Sequence, residues 1–91
     1  MGHSIHYRTD VGEWEKFSEF LERIAHGIGY DIEINRETLM VDPHHPLVEP
    51  LVIKKKGIGF AKTNLIEPYH SIYLLIIHSV SFFGSVELWE D

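Results

Sequence analysis

The stretch from Pro68 to Phe83 (PYHSIYLLIIHSVSFF) is the most apolar part of this sequence and decides the fold. Its bulky apolar residues recur at helical spacing and form one broad face, whereas His70, His78 and three serines gather on the other face. The apolar face consists of Tyr69, Ile72, Tyr73, Ile76, Ile77, Val80 and Phe83. We predict a central helix that starts at Pro68, is followed by Gly84 and packs on a sheet.

Two other interpretations of this stretch are a membrane span and a buried strand. A membrane span needs roughly 18 to 20 nearly uncharged apolar residues, and this shorter run is interrupted by His78 and serines. Residues 72–77 are rich in β-forming side chains, but strands are usually only about 5 or 6 residues long. Length therefore favours the helix.

Composition limits the class of protein. A chain of 91 residues with 44% hydrophobic content indicates one domain, residues 1–91, with a single modest core. The formal net charge of -6 argues against a phosphate-binding surface over most of the molecule. The absence of cysteine excludes disulfides, thiolate metal sites and cysteine nucleophiles. No signal-peptide pattern is visible, so we expect a cytoplasmic protein, and we assign no function to residues 1–4.

Alternation and turn residues predict six strands and a second helix in addition to the central one. Residues 3–9 alternate as a first strand, and Asp10 with Glu13 forms a capping box for a helix that ends at Gly27 or Gly29. Further strands are predicted at residues 30–34, 38–41, 51–55, 58–63 and 85–90. Lys56-Gly57 is interpreted as the turn of a hairpin.

The element order is therefore β-α-β-β-β-β-α-β, which is typical of an α+β domain. Without one hairpin this order is a ferredoxin-like, split β-α-β arrangement, in which an antiparallel sheet carries two helices on one face. The other face must be open to solvent, paired with another copy or used for binding. From this face and the exposed strand edges we predict a homodimer.

The loop from Asp42 to Pro50 (DPHHPLVEP) is the strongest local group of chemically active residues. Three prolines exclude regular structure, and His44, His45 and Glu49 offer imidazole and carboxylate ligands. Adjacent residues in an extended chain point to opposite sides, and the spacing matches no zinc signature. The alternatives are a rigid surface loop with exposed histidines and a divalent metal site. The metal candidates are His44, His45, Glu49 and His70.

Residues 56–63 (KGIGFAKT) resemble the RNP1 octapeptide of RNA-recognition motifs. That motif stacks bases on aromatic rings at its third, fifth and eighth positions, where this chain has Ile58, Phe60 and Thr63. The first strand contains no convincing RNP2 companion. We interpret the segment as a tight hairpin whose glycines allow the turn and close packing, and we infer no family membership from it.

No nucleophile elbow or phosphate loop is present, so we predict no catalytic residue and no cofactor other than a divalent metal as an alternative. We predict a small binding module in which the loop of residues 42–50 (the Pro/His loop) and the hairpin of residues 54–62 (the basic hairpin) meet an anionic small molecule or a protein partner. The expected ligand-binding residues are His44, His45, Glu49, Lys54, Lys56, Lys62 and His70. One alternative is a minimal metal-dependent or histidine-based enzyme that uses the same loop. Another is single-stranded nucleic-acid binding through Phe60 and the lysines, against which the net charge argues.

Overall fold

The computed structural model describes residues 2–91, and Met1 lies outside the described residues. Two helices and six strands follow one another in the predicted order, which confirms the α+β class. The elements are β1 (Ser4–Asp10), α1 (Trp14–Ile28), β2 (Asp31–Ile34), β3 (Thr38–Asp42), β4 (Leu51–Lys54), β5 (Lys56–Lys62), α2 (Tyr69–Ser79), a 3₁₀ turn (Val80–Phe82) and β6 (Ser85–Glu90). Within residues 2–91, neither helix has the length and apolar character needed to cross a membrane.

The strands form two small sheets rather than one. Sheet A has the order β5-β1-β6, and sheet B has the order β2-β3-β4. Every strand pair within residues 2–91 is antiparallel, so neither helix connects two paired parallel strands. The predicted ferredoxin-like arrangement is not confirmed, because the strands form two sheets and their order differs from that of a ferredoxin-like sheet.

The predicted hairpin of residues 54–62 is wrong, because β4 and β5 belong to different sheets. Only Lys55 separates them, and the chain changes sheet there: β4 pairs with β3, and β5 pairs with β1. The Lys55 N–H donates to the Glu37 carbonyl at 2.7 Å, and its carbonyl accepts from the Val11 N–H at 2.7 Å. Lys56 and Gly57 do not form a turn but begin β5, where Gly57 has a φ of 150° that favours glycine.

The core lies between the inner faces of the two sheets and the two helices. The face of α2 predicted to be apolar supplies Tyr73, Ile76 and Ile77, which are buried as expected. Sheet A supplies Ile5 and Tyr7 from β1, which are also buried. Sheet B and α1 add Leu39, Val41, Leu51, Ile53, Phe17 and Leu21. Burial of each large apolar side chain contributes about 1.5–3 kcal/mol relative to exposure.

The observed ends of α1 agree only in part with those predicted from the sequence. Gly29 ends α1 in the left-handed region with a φ of 77°, as one of the two predicted glycines. The predicted capping box is wrong, because Asp10 belongs to β1 and Glu13 occupies the N-cap without a side-chain hydrogen bond.

Gly84 is required by a close backbone approach and not by the end of α2. The helix ends at Ser79 and the 3₁₀ turn follows it, so Gly84 is not the C′ residue that the sequence predicts. A Cβ atom on Gly84 would overlap the Asp10 carbonyl oxygen and lie 2.9 Å from the Cα of Val11. The entry into β6 therefore passes directly against the end of β1.

We expect Gly84→Ala to lower the free energy of unfolding by about 2–3 kcal/mol, because the added methyl group must displace backbone. The matched control is Gly27→Ala in α1, where nothing lies within 4 Å of an added Cβ. That control should be neutral or stabilise by up to about 1 kcal/mol through helix propensity. Urea denaturation of both variants measures the difference, and equal effects would contradict the close approach at Gly84.

Candidate functional site

Three side chains from separate segments converge at one end of sheet A. They are His3, which directly precedes β1, His70, near the start of α2, and Glu90, at the end of β6. Their candidate ligand atoms all lie within 4.8 Å of one another. Among residues 2–91, this is the only group of three or more histidine, aspartate or glutamate side chains that meets this criterion. We call it the His–His–Glu triad.

Both imidazoles of the triad present the same nitrogen to the same carboxylate oxygen. Glu90 Oε1 lies 2.9 Å from His3 Nε2 and 2.9 Å from His70 Nε2. The two histidine rings pack edge to face, with centroids 5.2 Å apart. Without an ion, each ring can donate its Nε2–H to Oε1. In the other neutral tautomer the ring proton is on Nδ1, and the free Nε2 can then bind a divalent ion together with the carboxylate oxygen.

The main chain holds His3 and Glu90 in place. The carbonyl of His3 accepts hydrogen bonds from the N–H groups of Thr63 at 3.0 Å and Asn64 at 3.1 Å. The Asp91 N–H donates to the Ser4 carbonyl at 3.2 Å, so the pairing of β6 with β1 extends past Glu90. The two candidate ligands, 87 positions apart in the sequence, are therefore positioned by backbone hydrogen bonds.

The third candidate ligand, His70, is buried, and a hydroxyl group contacts its ring. Its Nδ1 lies 2.7 Å from Thr63 Oγ1, and the Thr63 side chain is fully buried. The Leu65 N–H donates to the same Oγ1 at 3.3 Å. Metal-ligating histidines commonly donate their second ring N–H to a carboxylate, a backbone carbonyl or water, which fixes the ring and its tautomer, and the Thr63 hydroxyl oxygen can accept this hydrogen bond here.

The charge state of Glu90 suits a metal ligand. The hydrogen bond from His3 lowers the pKa of the Glu90 carboxyl below its usual value, and partial burial opposes this without reversing it. The charge of His70 acts in the same direction as the hydrogen bond. The carboxylate is therefore ionised at neutral pH, as metal coordination requires.

The histidines of the Pro/His loop have other contacts. His44 pairs with Asp31 and with Asp42, and the hydrogen bond to Asp31, followed by the charge of Asp42, raises the pKa of His44. The ring of His45 packs against Tyr69 with centroids 4.9 Å apart. The two adjacent imidazoles thus contact different parts of the surface and form no group with His70.

Glu49 fastens the loop to β5. The Glu49 Oε1 accepts a hydrogen bond from the Lys62 backbone N–H at 2.8 Å. The Glu49 backbone carbonyl accepts one from the Tyr73 hydroxyl of α2 at 2.7 Å. Of the four metal candidates from the sequence, the structure places only His70 in a cluster of ligand atoms. A ligand-binding role for His44, His45 and Glu49 stays a prediction.

The lysines do not form one basic patch. Lys54 and Lys56 flank the change of sheet, whereas Lys62 lies at the other end of β5, about 20 Å along the strand at about 3.3 Å per residue. All three are exposed. Only Lys62 lies beside the Pro/His loop, because its backbone N–H contacts Glu49.

The face of sheet A that points away from the core, called the outer face below, carries a row of three rings. Phe60, His6 and Trp89 are cross-strand neighbours on β5, β1 and β6. His6 stacks between the other two rings, with centroid distances of 5.8 Å and 5.9 Å. Phe60 is 60% exposed and Trp89 is 43% exposed, so the row lies open to a binding partner. The next row along the strands consists of Ile58, Arg8 and Glu87.

No protein-family model matches the chain, and no curated protein or solved structure matches it. The case for the triad therefore rests on its own geometry.

Two members of the triad, His3 and Glu90, were not predicted as site residues. The sequence signal that could have indicated them is the alternation of inward and outward side chains along a strand. His3 has the same parity as the buried Ile5, and Glu90 has the same parity as Leu88, which packs against the core. That parity places both polar side chains on the inner side of sheet A, where an unpaired imidazole or carboxylate is costly.

We expect Glu90→Gln to be less stable than the wild type at neutral pH, with a difference that narrows as the pH falls. Because the folded-state pKa of Glu90 is lowered, its stabilising contribution is complete above the unfolded-state carboxyl pKa and disappears as the pH falls through the folded-state pKa. Denaturation between about pH 3 and pH 7 in EDTA measures this difference. Glu19→Gln on the exposed side of α1 is the control, and a pH-independent difference for Glu90→Gln would contradict the assignment.

Proposed function

We propose that the protein is a small binding module whose ligand is a divalent transition-metal ion held by His3, His70 and Glu90. The observation that carries the proposal is the convergence of two imidazole nitrogens and one carboxylate oxygen within 4.8 Å. Two histidines and a carboxylate form a common ligand set for catalytic zinc and for non-haem ferrous iron. Such a site needs no thiolate, in agreement with a chain that has no cysteine.

The exposure of the ligands supports an accessible site. The His70 side chain is 8% exposed, whereas His3 is 22% and Glu90 is 37% exposed. The triad is thus anchored on the buried side and reachable from solvent on the other. An ion can enter, and water or a second ligand can complete its coordination.

A bound ion would also provide a binding position for the anionic ligand that the sequence predicts. Two neutral imidazoles and one carboxylate leave a divalent ion with a net positive charge, and three protein ligands leave a position open. An anionic small molecule can occupy that position. In this proposal the anion is attracted mainly by the metal, because the three lysines are spread along β4 and β5.

We also propose that the protein is a homodimer. Within residues 2–91, the outer face of sheet A leaves Phe60 and Trp89 substantially exposed. Aromatic side chains are enriched at protein–protein interfaces relative to the rest of the surface.

Titration with Co²⁺ and Zn²⁺ tests the metal proposal. We expect one Co²⁺ per chain, detected by its visible absorption and displaced by Zn²⁺. His3→Ala and Glu90→Gln should each weaken Zn²⁺ binding by at least about 100-fold, because loss of a direct ligand costs more than loss of an outer-shell partner. Isothermal titration calorimetry gives the affinities.

The matched control is the double variant His44→Ala/His45→Ala, which removes two imidazoles from the Pro/His loop. We expect its stoichiometry and affinity to equal those of the wild type. If this variant loses the ion while His3→Ala keeps it, the metal site lies in the loop. If the wild type binds no ion, the triad is a hydrogen-bonded structural group.

We expect Thr63→Val to weaken Zn²⁺ binding by about 10–100-fold, because the ring of His70 loses the oxygen that orients it. Valine has nearly the same shape as threonine, and Thr63→Ser should restore most of the affinity. The stoichiometry should remain one ion per chain. Unfolding curves establish that each variant is folded, and unchanged affinity in Thr63→Val would show that Thr63 does not position His70.

A further inference from the structure

We infer that the outer face of sheet A is the dimer interface, and that a twofold axis parallel to β1 places Phe60 of one copy on Trp89 of the other. This inference rests on the proposed homodimer and adds its surface and its register. The starting point is the order of sheet A, in which β1 is central and β5 and β6 are its two neighbours. Consider an axis that runs parallel to β1 in front of the outer face. A rotation of 180° about this axis places the β5 of one copy over the β6 of the other, and each cross-strand row lies opposite the same row of the second copy.

The rows of sheet A are complementary under this rotation. Phe60, on β5, comes to lie over Trp89 of the second copy, on β6, since both belong to the row centred on His6. Lys62 and Asp91 belong to the neighbouring row, because Lys62 pairs with Ser4 and the Asp91 N–H donates to the Ser4 carbonyl. Each Lys62 therefore lies opposite Asp91 of the second copy. The interface has two aromatic stacks flanked by two ion pairs.

The other simple twofold arrangement is disfavoured by charge. An axis perpendicular to the strands in the plane between the faces would reverse the rows, so that Lys62 meets Lys56 of the second copy. The axis parallel to β1 brings the two Arg8 side chains together instead, but each Arg8 Nη1 already lies 3.2 Å from Glu87 Oε1 in its own copy. With the axis parallel to β1, the facing Arg8 side chains are each paired with a carboxylate. With the perpendicular axis, Lys62 and Lys56 face each other without such a partner.

A second copy also fits this face better than a nucleic acid does. The three outward rows on either side of the rings carry as many carboxylates as cations: Asp10, Glu87 and Asp91 against Arg8, Lys56 and Lys62. With a net charge of -6 on the chain, phosphate groups gain little attraction here. The complementary partner must therefore carry both carboxylates and cations, placed opposite the cations and carboxylates of β5 and β6. The outer face of a second copy meets this requirement.

The size of the face sets the expected strength of the dimer. Three strands spaced about 4.8 Å apart and about 20 Å long give a small contact area, at the low end of specific interfaces. Association should therefore be reversible and visible only at micromolar to millimolar concentrations. Sedimentation equilibrium over that range measures the association constant directly.

We expect Phe60→Ala and Trp89→Ala each to lower the association constant by at least about tenfold. Phe82→Ala is the matched control, because Phe82 is 81% exposed but lies on the 3₁₀ turn after α2, outside the outer face. Lys62→Glu alone should weaken the dimer, and the double exchange Lys62→Glu/Asp91→Lys should restore it. Circular dichroism establishes that each variant is folded.

The outcomes separate the interface from the dimer itself. Rescue by the double exchange, with no effect of Phe82→Ala, supports the parallel twofold axis. If the protein dimerises and neither Phe60→Ala nor Trp89→Ala changes the association constant, the homodimer proposal stands and this interface is wrong. If the protein is a monomer at all concentrations, both the homodimer and the interface are wrong. Salt-sensitive binding of a single-stranded oligothymidylate by the monomer, lost in Phe60→Ala, would assign the face to nucleic acid and overturn the inference.

Discussion

Two buried hydroxyl groups on β1 join the sheets, and the rest of the structure depends on them. The Tyr7 hydroxyl donates to the Val52 carbonyl at 2.6 Å, and the Thr9 hydroxyl donates to the Lys54 carbonyl at 2.6 Å. Both acceptors lie on β4, an edge strand of sheet B, whose outward carbonyl groups have no partner strand within that sheet. Burial raises the pKa of Tyr7, so its hydroxyl remains a donor well above neutral pH. The two faces of β1 consequently have different roles: the inner one holds sheet B, and the outer one is free.

The position of Tyr7 also explains the glycines that give residues 56–63 their likeness to a nucleic-acid motif. Gly59 is the cross-strand partner of Tyr7, and a Cβ at Gly59 would lie 2.7 Å from Tyr7 Cε2. The tyrosine ring passes over this glycine to reach β4. Gly57, with its φ of 150°, begins β5 directly after the chain changes sheet. Packing against Tyr7 therefore accounts for Gly59, and backbone conformation accounts for Gly57, without any role for either glycine in ligand binding.

Local patterns in the sequence predicted the elements well but not their partners. Of the seven apolar positions predicted for the central helix, four are buried and three pack partly buried against the core, although Val80 and Phe83 lie beyond the end of α2. The end of α1 at Gly29 follows from a rule about one residue type. Pairing was different, because nothing local distinguishes a hairpin at residues 51–63 from a strand that bends at Lys55 into another sheet. His3 and Glu90 were missed as site residues for the same reason. His3 and Glu90 are 87 positions apart, and only the antiparallel pairing of β1 with β6 brings them to His70.

The two sheets differ in how much of the chain each one needs. Sheet B is built from the continuous segment of residues 31–54, whereas β1 pairs with residues 56–62 and 85–90. Short-range pairings form faster than long-range ones because less chain entropy is lost on closing the loop. During synthesis, sheet B can assemble while β1 still has no partner, and sheet A is completed only when β6 is available. The first strand of the chain is thus the last to be fully paired, and its apolar face must be protected from wrong partners until then.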